Sequence, residues 1–84
     1  MRLIYFARVR ETVGLDNEER ELPADLVTVA DAVTWLSGQG VQYAEAFCDP
    51  ARLRYALDQK LVTADAPLLG ALELAIFPPV TGGC

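Results

Sequence analysis

The 84-residue sequence contains no histidine, and this removes the ordinary Ser-His and Cys-His nucleophile arrangements. Its two cysteines, Cys48 and Cys84, are too few to hold a structural metal without histidine, so no metal site is expected. Long hydrophobic runs are missing as well. The segment from Leu68 to Phe77 falls well short of the roughly 18 residues needed to span a bilayer and is broken by Glu73, so no transmembrane segment is expected. Basic residues are scarce, 7 against 12 acidic, for a net charge of -5. Only the spaced pairs Arg8/Arg10 and Arg52/Arg54 interrupt the acidity, which disfavours nucleic acid as a ligand. Such a chain is steered instead toward a protein with a basic surface or a pocket that handles anions. No signal peptide is apparent, because strand-like sequence begins within two or three residues of Met1. A reducing cytoplasm is therefore the expected location, with Cys48, beside Phe47, reading as core.

What is present is an ordinary globular composition, 52% hydrophobic and 23% charged, on a chain short enough for one domain only. There are no repeats, linkers or low-complexity stretches. From Arg2 to Val9 the residues alternate, Leu3, Tyr5, Ala7 and Val9 against Arg2, Ile4, Phe6 and Arg8, which predicts a strand. Arg10 to Asn17, with Gly14, reads as a turn that returns the chain along a second strand from Glu18 to Leu22. Thr28 followed by Asp31 predicts a capped helix starting near Val29, with Val29, Ala32, Val33 and Leu36 as its apolar stripe and Gly38 and Gly40 at its stop. Val41 to Phe47 predicts a short second helix before a turn at Asp49-Pro50. Leu53, Tyr55 and Leu57 alternate as a third strand, Leu61-Val62 as a brief edge strand, and Leu72, Leu74 and Ile76 as a last one. This order predicts an α+β sheet with one main helix across one face.

The carboxylates are scattered, with Asp31 reading as a cap and Glu18 to Glu21 as a solvated strand. The informative segment is the end, Phe77-Pro-Pro-Val-Thr-Gly-Gly83. Two prolines cannot continue a ladder and two glycines carry no side chains, so the chain should leave the fold as a thin arm. From Pro79 to Gly83 such an arm reaches roughly 17 Å at full extension, enough to enter another protein's active site.

Four segments, Tyr5 to Glu11, Val27 to Ala32, Leu57 to Val62 and Phe77 to Gly83, resemble molybdopterin synthase small subunits in order and spacing across nearly the whole chain. The resemblance implies a β-grasp, ubiquitin-like mixed sheet with one main helix on one face, occupying residues 1–77, followed by an extended tail over 78–84. It implies that an adenylating partner uses ATP to join AMP to the carboxyl of Gly83, and that a sulfur donor displaces AMP to leave a thiocarboxylate. Val80, Thr81 and Gly82 would carry that tip into the large synthase subunit, where sulfur passes to cyclic pyranopterin monophosphate. Glycine is implied at Gly82 and Gly83 because a Cβ would obstruct the channel. Phe6, Arg10, Leu61 and Phe77 would dock on the large subunit, in a heterotetramer, and on the adenylating enzyme. The chain itself would bind no cofactor and supply no catalytic side chain.

Cys84 departs from the family pattern, which ends at the second glycine, and this leaves three readings: a precursor residue removed by a peptidase, an oddity of the sequence, or, less favoured at an exposed end with nothing to depress its pKa, a working thiol. The same glycine chemistry would serve a carrier for thiamine or tRNA thiolation. A ubiquitin-like modifier is a further alternative, with Lys60 the single site for chains built on the protein itself. The cysteine count excludes a β-grasp ferredoxin.

Overall fold

In the computed structural model the described residues are 1–48 and 50–78; Asp49 and the expected tail positions from Pro79 onward, including Val80, Thr81, Gly82, Gly83 and Cys84, lie outside them. The elements run β1 (Arg2–Tyr5), α1 (Ala7–Val13), β2 (Asn17–Glu19), α2 (Val29–Ser37), α3 (Val41–Ala46), a 3-10 turn (Pro50–Arg52), β3 (Arg54–Leu57), β4 (Lys60–Val62) and β5 (Glu73–Phe77). The strands form one sheet in the order β2-β1-β5-β3-β4. β5 lies in the middle, parallel to β1 and antiparallel to β3, and the two outer pairs are antiparallel. The mixed sheet expected from the sequence is present.

One face of the sheet is closed by the helices. Leu3, Tyr5, Tyr55, Leu57, Leu74 and Ile76 from the strands pack into a single core with Val9 and Val13 of α1, the α2 stripe, Tyr43 of α3 and Phe47. Each fully buried Leu, Ile or Val contributes about 1.5–3 kcal/mol relative to exposure, so this core is the main source of stability. α2 begins as its sequence dictates. Thr28 Oγ1 accepts from the Asp31 amide at 3.2 Å, while Asp31 Oδ2 accepts from the amides of Thr28 and Val27, both at 3.1 Å. These amide bonds hold the Asp31 carboxyl below its ordinary pKa.

Four expectations are corrected. First, the strand expected to reach Val9 stops at Tyr5, and the expected turn is largely a helix, α1. Ala7 takes a φ of 49°, which breaks the extended run, and from there Val9 and Val13 are buried at the i, i+4 spacing of a helix. Gly14, at φ 91°, ends α1 in the left-handed conformation that glycine adopts without a Cβ penalty. Second, Leu72 does not join the core set of the last strand. It lies just ahead of β5 and is 78% exposed. Third, Cys48 is exposed just after α3, and its neighbour Phe47 fills the core instead. Fourth, Glu18 is not a solvated strand residue. Its carboxylate accepts the hydroxyls of Tyr5 at 2.6 Å and Tyr43 at 2.7 Å and pairs with Arg20 at 3.0 Å.

The Glu18 cluster ties the edge strand β2 to α3. The Arg20 guanidinium lies 5.9 Å from the Trp35 ring and 5.1 Å from the Tyr43 ring. Burial acts to raise the Glu18 pKa, but the two tyrosine hydroxyls and Arg20 outweigh it and the net shift is downward. A lowered folded pKa means that the stabilisation is complete above the unfolded carboxylate's range and is lost as pH falls through the folded value. Glu18→Ala leaves the buried Tyr5 and Tyr43 hydroxyls without their acceptor and should cost about 1–3 kcal/mol at neutral pH. Denaturant unfolding at neutral and acid pH checks this: the wild type and variant should converge as the pH falls, and a constant gap would refute the role assigned to the charge.

Candidate docking face and tail exit

The sheet face away from the helices is open, and the strand register fixes which residues share it. Cα pairing aligns Ile4 with Ala75, Ala75 with Ala56 and Ala56 with Leu61, giving one apolar row across four strands. The two alanines in its middle keep the row low, whereas Leu61 on the edge strand β4 is 80% exposed. Asp58 and Gln59, both at positive φ, form the two-residue turn that delivers Leu61 to this edge. The Asp58 carboxylate accepts from the amides of Leu72 at 2.9 Å and Glu73 at 3.0 Å, which fixes the turn to the start of β5.

Two residues nearer the tail is a second row. Phe77 stands two positions after Ala75 on the same face, and its cross-strand partner is Arg54. Phe6 follows β1 in an extended conformation, with its amide donating to the Ile76 carbonyl at 3.2 Å. Its ring stacks on that of Phe77 with centroids 4.5 Å apart and planes 9° apart. Phe6 is 39% exposed and Phe77 half-buried, so the pair presents an aromatic surface rather than filling the core. Arg10 is exposed one helical turn after Phe6. β5 then leaves the sheet at Pro78, directly beside this pair.

Of the positions singled out in the sequence, Phe6 and Phe77 are in direct contact and Leu61 shares their face, one row away across β3. Arg10 stands on the helix that follows Phe6. The tail positions Val80, Thr81, Gly82, Gly83 and Cys84 lie outside the described residues. Sequence reading missed Arg54, whose signal was its alternation with Tyr55 and Ala56; only the pairing with Phe77 shows that it borders the aromatic stack. Among the described residues no cluster of carboxylates or thiols could hold a metal ion, and no helix is long and apolar enough to cross a membrane. On the buried face the hydroxyls of Tyr5 and Tyr43 both donate to Glu18, and among the described residues no buried side-chain nitrogen or oxygen lacks a hydrogen-bond partner.

Fold and face together define a β-grasp domain with an open, apolar-centred sheet face beside the exit of its central strand. Its fold is that of SAMP1 from Haloferax volcanii, with a TM-score of 0.71, 24% identity and coverage of 99% of this chain and 98% of that one. The chain belongs to the ThiS family, which it matches over residues 3–83. It is 41% identical over 83 residues to the molybdopterin synthase sulfur carrier subunit of Escherichia coli, covering 99% of each chain. It is 31% identical, with the same coverage, to the protein of that name from Haemophilus influenzae.

Proposed function

We propose that this chain is the sulfur carrier of a molybdopterin synthase, acting in the cytoplasm through its Gly82-Gly83 tail. The observation that carries the reading is the delivery of that tail from the central strand, beside the exposed Phe6–Phe77 stack, in a chain whose relatives bear that name. A free carboxylate is a poor electrophile. An adenylating enzyme therefore joins AMP from ATP to the Gly83 carboxyl, and a sulfur donor displaces AMP to leave the thiocarboxylate. The thiocarboxylate is then the nucleophile or sulfur source for cyclic pyranopterin monophosphate inside the large synthase subunit, with which this chain assembles as a heterotetramer. Phe6, Arg10, Leu61 and Phe77 form the docking face, and catalytic side chains belong to the partners. Because Cys84 follows Gly83, a peptidase first frees the glycine carboxyl. The Pro78-Pro79-Val80-Thr81 approach and the names of the relatives favour this pathway over thiamine or tRNA thiolation and over protein modification.

The docking face separates from the core in one experiment. Phe77→Ala should weaken binding to the large subunit by about 2 kcal/mol or more, as truncation of a central interface aromatic does. Its effect on melting should be smaller than the roughly 3–5 kcal/mol that loss of a core aromatic costs. A large fall in melting temperature with unchanged affinity would assign Phe77 to the core and remove the docking face from the proposal.

A further inference from the structure

The carrier chemistry makes no use of Cys48, yet the fold places this residue at the end of the sheet where the tail leaves. The ring of Phe47, just before it, lies 6.3 Å from that of Tyr5, the last residue of β1, whose cross-strand partner is Ile76. Just after it, the Pro50 carbonyl accepts the Tyr55 hydroxyl at 3.0 Å, and Tyr55 pairs with Ile76 from the other side. Cys48 is therefore held, exposed, at the corner where β5 gives way to Pro78. It is also disulfide-bonded, and no cysteine is free among the described residues. The sequence offers one other cysteine, Cys84, at the tip of the tail. From Pro79 to Cys84 the chain reaches roughly 20 Å at full extension, enough to fold back to this corner of the domain.

We infer that Cys48 and Cys84 form a reversible disulfide that ties the precursor tail to the domain, so that oxidation shields the Gly83–Cys84 bond from a peptidase and reduction exposes it. The inference rests on the sulfur-carrier reading and adds a redox condition to its first step. The oxidant is a small disulfide of the glutathione type. One cysteine thiolate attacks its S–S bond and expels the first glutathione thiolate; the other cysteine thiolate then attacks the protein sulfur of the mixed disulfide and expels the second. The protein loses two protons and two electrons, two glutathione thiols form, and a dithiol reductant reverses both steps. Because Cys48 is exposed, the bond is open to attack, which makes it labile rather than structural. In a reducing compartment such a bond persists only while an oxidant is present. With its tip joined to Cys48 the arm is anchored at both ends, so it cannot enter a narrow channel as a single extended chain, and its last peptide bond is held in a loop.

The test treats the full-length chain with glutathione disulfide or with dithiothreitol, removes the reagent, and follows digestion by a broad-specificity carboxypeptidase. The oxidised chain should remain a monomer lighter by two hydrogen atoms, with the peptide containing Cys48 joined to the C-terminal peptide in a non-reducing digest. Chains shortened at the C-terminus, counted by mass after quenching and reduction, should appear about tenfold or more slowly from the oxidised than from the reduced protein, as expected when cleavage must wait for an opened form. Cys48→Ser should be trimmed at the reduced rate under both treatments, which also shows that the oxidant leaves the peptidase active. Cys48 is exposed, so the fold should tolerate the change, and thermal melts check this; Cys84→Ser serves the same purpose on the tail. Disulfide-linked dimers, or two cysteines each capped by glutathione with no cross-link, would overturn the inference. So would a cross-linked monomer trimmed as fast as the reduced chain. None of these results touches the carrier reading, which is tested on a chain ending at Gly83 that has no Cys84 to oxidise.

Discussion

In a chain ending at that position, Gly83→Ala is expected to bind the large subunit with little loss of affinity yet to convert the pterin precursor on the order of 100-fold more slowly. The proposed docking face lies on the globular domain, in the Phe6–Phe77 stack and the row ending at Leu61, so a methyl at the tip of the arm should leave that contact unchanged. In the proposed reaction the tip must place one carboxyl carbon, and later one sulfur, beside a reacting atom at the end of a channel. Misplacement by about 1 Å is enough to cost on the order of 100-fold in rate. An alanine Cβ also narrows the conformations open to an extended backbone that glycine adopts freely. Single-turnover conversion beside a titration of the same variant separates the two effects. Wild-type turnover would contradict the channel argument, and lost binding would make the tail the main anchor.

The second large effect concerns Cys84. The full-length chain should acquire no sulfur at Gly83 when given ATP, the adenylating enzyme and sulfide, because the carboxyl carbon of Gly83 is held in the peptide bond to Cys84. An amide nitrogen has already taken the position that the acyl adenylate needs. A chain ending at Gly83 should be charged under the same conditions and should then support conversion of the precursor by the large subunit. The comparison is all-or-none in kind, since it turns on whether the reacting group exists rather than on how well it is placed. Equal conversion by the full-length chain, with Cys84 still attached at the end of the reaction, would contradict the proposed chemistry.

Both results depend on a tail known from the sequence, whereas the way the residues of the face beside it come together became legible only from the structure. Some elements followed directly from residue pattern. The Thr28 and Asp31 pair, the stripe of Val29, Ala32, Val33 and Leu36, and the edge strand at Leu61-Val62 were all readable, because each is set by contacts a few residues apart. Helix α1 was not, since Leu3, Tyr5, Ala7 and Val9 continue a two-residue alternation through the point where the chain changes period. The change occurs at Ala7, through a backbone angle that its side chain does not announce. Glu18 was misread for a related reason. Its partners Tyr5 and Tyr43 are 13 and 25 residues away, and local polarity alone looks like solvent exposure. Phe6 and Phe77 could be placed opposite the core from alternation, but their stacking needs the parallel pairing of the first and last strands. The place of Arg54 beside Phe77 needs the antiparallel pairing with β3 in addition.

The central claim is that sulfur is carried on the carboxyl of Gly83. Intact-mass measurement of the protein isolated from its own cells, followed by fragmentation of its C-terminal peptide, tests it most directly. The account predicts a fraction of molecules that end at Gly83 and are heavier by the difference between one sulfur and one oxygen atom, with that increment on the last residue. Molecules that all retain Cys84, or an added sulfur found on Cys48 or Cys84 with Gly83 unaltered, would contradict it.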